Sequence, residues 1–375
     1  MQNLKYRSIS RRDFLRMLMV ASGSILVSCG GLATEIPGTP KPTETEIQSS
    51  TVIPSNVIKN VIVILQENHS FDSLFATYPG VEGKSAPNVC SDAPTKGIPK
   101  TGQKNIGFYC SYNEKQIPNY WQLARNFTLC DNYFSEARAP SFPNYQLLTT
   151  AQSTTMIDPF SHWACPSVCV DIPALPNRLD ERGLTWRDYG GLFATIKSLA
   201  GRTEILTKTM DSFYQDASKG TLQNVIWIGA YLMGGIKNSG HPPANICDAE
   251  NFAVSIINAT MASPQWSSTL LFLIWDEWGG FYDHVVPPLV ERLGNGRPYR
   301  YGYRVPCIVV SPYARKGFVS HTLSSHVSIL KTIEIIFNIK PLTERDSDAH
   351  SLLECLDFVQ PPLTPFSLPL SGCAS

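Results

Sequence analysis

Acidic and amide side chains follow two apolar runs of the chain and could together bind a cation. The run VIVILQ leads directly into Glu67 and Asn68, and the run TLLFLIW leads into Asp276 and Glu277. If both runs are parallel strands of one sheet, their carboxyl ends meet at the same edge, where α/β proteins build their sites. Carboxylates brought together there repel one another unless a cation lies between them. The sequence therefore predicts a metal site, although two unrelated polar loops would explain the spacing equally well.

A serine between two prolines could be a nucleophile. Ser141 follows Pro140 and precedes Phe142 and Pro143, at the predicted start of a helix. The helix dipole and the free backbone N–H groups of a first turn favour a negatively charged group at that place. A serine there could attack phosphorus, and a metal bound to it would lower its hydroxyl pKa in place of a general base. The alternative, a serine that only caps the helix, is by itself much the more common.

Strands and helices alternate around these residues. Apolar runs predict buried strands at Val57–Leu65, Val225–Ile228, Thr269–Trp275 and Val305–Val310. Helical spacing of apolar residues predicts helices at Trp121–Asn126, Pro143–Ala151, Ala249–Met261 and Ser325–Phe337. Such alternation is typical of an α/β fold with a mostly parallel central sheet that helices cover on both faces.

Five motifs resemble, in their order along the chain, those of the bacterial phosphoesterase family. They are ENHSFD, PSFPN, HPP, WDEWGGFYDHVVPP and HVSILKTIE, at Glu67–Asp72, Pro140–Asn144, His241–Pro243, Trp275–Pro288 and His326–Glu334. That family contains non-haemolytic phospholipases C and a group of acid phosphatases, and it belongs to the alkaline phosphatase superfamily. The resemblance therefore implies an alkaline phosphatase-like α/β/α sandwich.

The resemblance also implies one divalent metal ion. The expected ligands are the four strand-end residues and the serine: Glu67, Asn68, Ser141, Asp276 and Glu277. Mixed carboxylate and amide oxygens admit calcium, manganese, iron or zinc, so the sequence does not identify the metal. In such a site Ser141 would be the nucleophile, and the reaction would pass through a phosphoserine intermediate.

Three histidines and one aspartate extend the predicted site. His241 lies in the Gly- and Pro-rich loop NSGHPPANI, where a place in the core is not expected, and the matching family motif supplies an imidazole close to the phosphate. His284 also matches a family histidine and is a predicted catalytic residue, although it could merely orient its loop. His326 and Asp283 are expected to support the ligands, and His326 could instead cap its helix.

The substrate class is less well defined. Phospholipases C of the family tend to have threonine as the nucleophile, so Ser141 favours the acid phosphatase branch, whereas Glu277 favours the phospholipases. Because the strand-end loops are mainly polar and no long carboxyl-terminal extension follows, the sequence predicts small phosphomonoesters as substrates. Phosphodiesters of phospholipid headgroups are the alternative. A hypothesis of another class, a non-catalytic surface-binding lipoprotein, is disfavoured because the nucleophile and the metal ligands are all retained.

The two ends of the chain differ in composition from its middle. Residues 1–28 contain the pair Arg11-Arg12 and a short apolar stretch, typical of a twin-arginine-type lipoprotein signal peptide with Cys29 as the lipid-bearing residue. An ordinary signal peptide with an incidental cysteine is the alternative. Residues 29–54 predict a flexible Thr- and Pro-rich tether, residues 55–356 the phosphoesterase domain, and residues 357–375 a Pro-rich tail. The protein is thus expected to be exported and either anchored by its lipid to the outer face of the cell membrane or secreted.

Charge and cysteine content narrow the class of protein further. Residues 29–375 carry 26 Lys and Arg against 30 Asp and Glu, which argues against a nucleic-acid partner. Apart from Cys29 nine cysteines remain, an odd number, so at least one is expected to be free or paired between chains. Export permits disulfides, and the sequence predicts the pairs Cys90–Cys110 and Cys165–Cys169.

Overall fold

A mostly parallel sheet forms the centre of the molecule. The structure, a computed structural model, describes residues 57–91, 108–159, 164–206, 209–292 and 298–373. Within these residues the strands are β1 (Asn60–Gln66), β2 (Asn88–Val89), β3 (Cys110–Ser111), β4 (Thr128–Cys130), β5 (Tyr133–Phe134), β6 (Trp186–Tyr189), β7 (Val225–Gly229), β8 (Thr269–Trp275), β9 (Leu289–Arg292), β10 (Pro298–Arg300), β11 (Cys307–Val310), β12 (Phe318–Ser320) and β13 (Ser324–Ser325).

Seven of the described strands pair into one sheet, in the order β12-β4-β11-β8-β1-β7-β6. Strands β8, β1, β7 and β6 run parallel to one another, and β12 runs parallel to β4. Strand β11 is antiparallel to both of its neighbours, β4 and β8. Strands β1, β7, β8 and β11 are buried along their whole length, which requires cover on both faces of the sheet. The predicted α/β class with a mostly parallel sheet is confirmed.

Helices connect the strands and cover the sheet. They are α1 (Phe71–Phe75), α2 (Pro118–Asn126), α3 (Ser141–Thr150), α4 (Leu175–Glu181), α5 (Thr203–Leu206), α6 (Met210–Lys219), α7 (Ala230–Ser239), α8 (Ile246–Met261), α9 (His326–Phe337) and α10 (Glu344–Asp348). Helix α3 packs against α9, and α7 packs against α8. No helix among the described residues is both long enough and apolar enough to cross a bilayer.

The predicted elements are present, and local chemistry explains where their ends differ. Strand β8 has the predicted bounds. Strand β11 begins at Cys307, two residues later than predicted, because Pro306 has no N–H to donate to a neighbouring strand. Helix α8 begins at Ile246 and not at Ala249, because the side chain of Asn245 caps it by accepting an N–H at 3.0 Å.

The carboxyl-terminal segment 357–373 belongs to the folded unit, although the sequence predicts a tail beyond residue 356. Asn258 forms two hydrogen bonds with the backbone of Leu368, at 2.8 and 2.9 Å. A disulfide joins Cys247 of α8 to Cys373. Phe366 also stacks on Phe127, and Leu368 is buried. The proline-rich composition hides this attachment, because its contacts are made to residues far away in the sequence.

The described cysteines form three disulfides. The predicted pairs Cys90–Cys110 and Cys165–Cys169 are confirmed, and the long-range Cys247–Cys373 pair was not foreseen. Three buried cysteines remain free, as the odd number predicts: Cys130, Cys307 and Cys355. The predicted signal peptide at residues 1–28, the lipid-bearing Cys29 and the tether at residues 29–54 lie outside the described residues.

Candidate active site

The carboxyl ends of β1 and β8 lie side by side, as the sequence predicts. The two strands pair in parallel, and their last residues, Gln66 and Trp275, lie opposite each other. Glu67, Asn68 and Asp276 therefore leave the sheet at the same point, where the N–H of Asn68 donates to Asp276 Oδ1 at 2.8 Å. The strand-end residues form one cluster, not two unrelated loops.

Ser141 joins this cluster from the start of α3. Its hydroxyl donates a hydrogen bond to Glu67 Oε2 at 3.2 Å. Pro140, which precedes the helix, offers no side-chain hydrogen bond to the first turn. The positive field of the helix start therefore acts at Ser141, the place where a negatively charged phosphoryl group would be bound.

Three buried oxygens of the cluster have no hydrogen-bond partner: Glu67 Oε1, Asn68 Oδ1 and Asp276 Oδ2. Buried acceptors without a donor are rare, because each loses its hydration without replacement. Carboxylate and amide oxygens are also the atoms that bind hard divalent cations. A divalent ion among these three oxygens would satisfy all of them, so the residues present fit the predicted metal.

Burial opposes the ionisation of the three carboxyl groups of the cluster, and the charge of Asp276 also opposes that of Glu67 and Glu277. Burial raises the pKa of Glu67 well above its ordinary value, and the charges of Asp276 and Glu277 raise it further. Burial raises the pKa of Asp276 to about 6, although the nearby hydroxyl of Ser141 and the hydrogen bond from the N–H of Asn68 act against the shift. The pKa of Glu277 is also raised, by burial and then by Asp276. A bound divalent cation would favour the ionised forms and reverse these shifts.

At Gly279 the loop after β8 lies very close to the backbone of Asn68, a predicted ligand. Asn68 has a positive φ of 59°, and Gly279 has a φ of +62°. A Cβ atom at Gly279 would lie 2.3 Å from the carbonyl oxygen of Asn68. The N–H of Gly279 donates to Glu277 Oε2 at 2.9 Å. Only glycine therefore permits this approach of the β8 loop to the β1 loop.

His241 lies beside the cluster, on the loop after α7. Its Nδ1–H donates to the carbonyl oxygen of Pro242 at 2.7 Å, which leaves Nε2 as the nitrogen that can face a substrate. The ring is partly exposed and lies 5.7 Å from the ring of Tyr231. Its charge acts against the effect of burial on the pKa of Asp276. The fold thus brings His241 near the strand-end cluster, and its role there stays a prediction.

His284, a predicted catalytic residue, lies in a neighbouring ion-pair network. Its Nδ1 lies 2.6 Å from Asp72 Oδ2, and Arg304 binds Asp72 at 2.9 Å and Asp283 at 3.2 Å. Asp72, Asp283 and His284 are close enough together to hold a metal, but the buried guanidinium of Arg304 already supplies the positive charge there. Among the described residues, no contact joins His284 to Ser141. In this structure His284 belongs to the ion-pair network that joins the loop after β8 to α1.

His326 and Asp283 form hydrogen bonds with backbone groups close to the predicted metal ligands. The Nε2–H of buried His326 donates to the carbonyl oxygen of Asp276 at 2.8 Å, and its Nδ1 accepts from the Tyr133 hydroxyl at 2.9 Å. Burial lowers the pKa of His326 to about 4, so the ring is neutral at neutral pH. Asp283 accepts the N–H of Asp72 at 3.0 Å. The first two bonds tie the end of β8 to Tyr133 of β5, and the third ties the loop after β8 to α1.

Two further groups near the cluster are not part of the site that the sequence predicts. The carboxylate of Asp158 accepts the N–H of Phe142, in the first turn of α3, at 3.0 Å. The buried ring of His69 donates from Nδ1 to the carbonyl oxygen of Glu67 at 2.9 Å and stacks on Phe281 at 4.4 Å. Because His69 lies in the ENHSFD motif, the sequence could have indicated its place near the site. Asp158 lies in a loop without a motif, so only the fold reveals its place.

The phosphoesterase family matches residues 107–340, which is more than half of the chain. The chain therefore belongs to the phosphoesterase family.

Curated relatives are similar over much of this chain. It is 24% identical to the non-hemolytic phospholipase C of Pseudomonas aeruginosa, over 96% of this chain and 65% of that protein. It is 27% identical to phospholipase C B of Mycobacterium tuberculosis, over 68% of this chain and 57% of that protein. It is 28% identical to the non-specific phospholipase C3 of Arabidopsis thaliana, over 64% of this chain and 50% of that protein. The chain thus spans between half and two thirds of the length of these relatives.

Solved structures show a more distant similarity. A protein of the alkaline phosphatase superfamily from Vibrio parahaemolyticus matches with a TM-score of 0.47 and 10% identity, over 80% of this chain and 71% of that chain. A putative sulfatase from Bacteroides thetaiotaomicron matches with a TM-score of 0.47 and 12% identity, over 80% of this chain and 74% of that chain.

Proposed function

We propose that this protein is a metal-dependent phosphoesterase whose nucleophile is Ser141. The observation that carries the proposal is the set of partnerless oxygens, Glu67 Oε1, Asn68 Oδ1 and Asp276 Oδ2, next to the Ser141 hydroxyl. Phosphoryl transfer needs a positioned nucleophile and positive charge around the transferring group. This cluster offers a place for both, and membership of the phosphoesterase family supports the same reaction class.

In the first step the ester bond is exchanged for a bond to the serine. A divalent ion at the cluster would supply charge that lowers the pKa of the Ser141 hydroxyl and stabilises the phosphoryl oxygens. Ser141 Oγ attacks phosphorus while its proton passes to Glu67 Oε2, its hydrogen-bond partner. The bond from phosphorus to the ester oxygen breaks, and doubly protonated His241 donates its Nε2 proton to that oxygen. Backbone N–H groups at the start of α3 face the charge that develops on the phosphoryl group.

In the second step water releases the phosphoryl group. His241, now neutral, accepts a proton from the attacking water at Nε2. The bond between phosphorus and Ser141 Oγ breaks, and the serine recovers its proton from Glu67. The enzyme returns to its first state with phosphate, or a phosphate monoester, as the product.

The substrate class follows from what surrounds the cluster. The sequence predicts small phosphomonoesters, as for an acid phosphatase, because Ser141 matches that branch and the loops read as polar. In the structure large apolar side chains are nevertheless exposed near these residues: Tyr231 of α7 beside His241, Met156 and Ile157 before Asp158, and Tyr282 and Val286 around His284. Exposed apolar side chains around a site favour a ligand with an apolar part.

We therefore place the phospholipase C type of reaction, hydrolysis of a phosphodiester that carries an apolar group, before the phosphomonoesterase. The names of the relatives support this order, because each of the three is a phospholipase C. The acid phosphatase type remains the second proposal, and Ser141 is the residue that favours it.

One activity panel tests both parts of the proposal. Wild type and Ser141→Ala would be assayed with p-nitrophenyl phosphate, p-nitrophenyl phosphorylcholine and micellar phosphatidylcholine, with and without a chelator. We expect hydrolysis that requires Ser141 and metal, with the highest kcat/KM for one of the two diesters. Highest kcat/KM for p-nitrophenyl phosphate would establish the phosphomonoesterase instead. Hydrolysis that survives both the chelator and Ser141→Ala would contradict the proposed chemistry.

A further inference from the structure

An acidic side chain lies where the substrate should bind. Asp158 Oδ1 accepts the N–H of Phe142 at 3.0 Å, and Phe142 is the second residue of α3, directly after the nucleophile. An N–H in the first turn of a helix is a preferred partner for a phosphoryl oxygen. The carboxylate of Asp158 therefore takes a hydrogen bond that a bound substrate would use.

The neighbours of Asp158 place it within the site. Burial raises the pKa of Asp158, whereas the N–H of Phe142 and the charge of His241 lower it. After burial and the charge of Asp276, the charge of Asp158 is a further cause of the raised pKa of Glu277. Asp158 thus lies near both the predicted acid His241 and the ligand Glu277. The partnerless Asp276 Oδ2, fully buried in the same cluster, independently marks this place as a ligand site.

We propose that Asp158 determines which phosphate esters this protein accepts, because its carboxylate lies at the start of α3 in the place of a phosphoryl oxygen. Every substrate must displace this carboxylate or bind beside it. The inference rests on the proposed function and adds a residue that selects substrates by their charge. Asp158 does not itself form or break a bond in the reaction.

The charge of the substrate decides how strongly Asp158 acts. A phosphomonoester carries about two negative charges at neutral pH, because its second pKa is about 6, whereas a phosphodiester carries one. A carboxylate beside the phosphoryl group repels the doubly charged ester more strongly. Asp158 therefore disfavours phosphomonoesters relative to phosphodiesters, although the serine nucleophile resembles that of phosphatases.

A purely structural role for Asp158 predicts a different result. The residue before α3 is Pro140, which has no side-chain hydrogen bond to the helix, so Asp158 could serve only as the cap of α3. Removing a cap lowers stability, and it lowers the activity towards both ester classes in the same proportion. Only an electrostatic role changes the ratio between the two classes.

The test compares wild type with Asp158→Asn and Asp158→Ala. The asparagine variant keeps an acceptor for the N–H of Phe142 and removes the charge, whereas the alanine variant removes both. At neutral pH, kcat and KM would be measured with p-nitrophenyl phosphate and p-nitrophenyl phosphorylcholine, together with the inhibition constant of inorganic phosphate. For both variants we expect KM for the monoester and the inhibition constant to fall roughly tenfold, and KM for the diester, which carries half the charge, to fall by only about threefold.

Melting temperatures of all three proteins separate folding from selectivity. An unchanged ratio of the two kcat/KM values in a folded Asp158→Asn protein would overturn the inference, and so would weaker inhibition by phosphate. The proposed function fails in a different way, since wild type itself would then show no metal-dependent hydrolysis. In that event calorimetric titration with inorganic phosphate still tests the inference, because tighter binding by Asp158→Asn would support it and equal binding would overturn it.

Discussion

At the scale of single residues, the site is defined by oxygens that lack hydrogen-bond donors. Glu67, Asn68 and Asp276 each leave one buried oxygen unsatisfied. Burial raises the pKa values of the two carboxyl groups, and the charges of Asp276 and Glu277 raise that of Glu67 further. A folded protein accepts such costs where a ligand later removes them. The metal is therefore expected to stabilise the fold as well as the reaction.

The first prediction concerns Asp276. We expect Asp276→Asn to lose the bound metal, because a charged ligand oxygen is replaced by a neutral group. In a chelator the same variant should melt no lower than wild type, since the substitution relieves repulsion between buried carboxylates. Elemental analysis and thermal melts check the two parts. Asp188→Asn is the control, because Asp188 is also fully buried but accepts hydrogen bonds from the backbone N–H groups of Gly191 and Phe193. Full metal content in Asp276→Asn would refute the ligand assignment.

At the scale of elements, the contact between the β8 loop and the β1 loop holds the ligands in place. We expect Gly279→Ala to lower both stability and metal affinity, because the new Cβ would lie 2.3 Å from the carbonyl oxygen of Asn68. Gly183→Ala is the matched control: its φ is +67°, and no atom lies within 4 Å of its added Cβ. Both substitutions strain the backbone by about 1–2 kcal/mol, so only Gly279→Ala should lose metal in equilibrium dialysis. Equal metal affinity of the two variants would contradict this account.

A second element-scale prediction concerns the contact of α2 with α8. Burial raises the pKa of Glu250 to about 7, although the N–H of Tyr120 donates to its carboxylate at 2.8 Å. Because an unfolded Glu titrates near pH ~4.3, the folded state binds this proton more tightly than the unfolded state. The resulting stability is present below about pH 4 and is lost as the pH rises towards 7.

Glu250→Gln should therefore gain in melting temperature relative to wild type between pH 5 and pH 7.5, because glutamine resembles the protonated carboxyl group and does not titrate. Thermal melts at both pH values check this expectation. Glu344→Gln, at an exposed position, serves as the control. A constant difference between Glu250→Gln and wild type at the two pH values would contradict the raised pKa.

The sequence predicts those site residues that stand next to a recognisable strand or motif, and it misses those that are identified only by distant contacts. Glu67 and Asp276 were found because each follows an apolar strand directly, and the pairing of β1 with β8 brings them together. Asp158 and Arg304 could not be found in this way. Their partners lie far away in the sequence or on a backbone amide, and neither leaves a periodic pattern. His284 shows a different limitation of the sequence. Its motif identified the residue but did not reveal its contact with Asp72 in the fold.

At the scale of the whole molecule, the disulfides bear on where the protein works. Three of them form among the described residues, and disulfides persist in oxidising compartments. They support the proposal that residues 1–28 direct export; the lipid on Cys29 is a separate proposal. The attachment of segment 357–373 to α8 through Cys247–Cys373 would also depend on such a compartment.

Fractionation of cells tests the proposed anchor. We expect Cys29→Ser to leave the membrane fraction, because the lipid attachment point is lost, and to retain its activity. Cys373→Ser is a control for general effects of cysteine loss, since its residue lies in the folded unit and its membrane association should persist. A Cys29→Ser protein that stays with the membrane would show that the anchor is elsewhere.

The central claim is that Ser141 attacks phosphorus and carries the phosphoryl group. The direct measurement is acid quenching of the enzyme during turnover, followed by mass spectrometry of the peptide that contains Ser141, alongside the turnover of Ser141→Ala. The account predicts a phosphoryl group on Ser141, still bearing the headgroup if the substrate is a diester, and a loss of at least ~10³ in kcat for the alanine variant. Turnover by Ser141→Ala at the wild-type rate, or a phosphoryl group trapped on His241 instead, would contradict it.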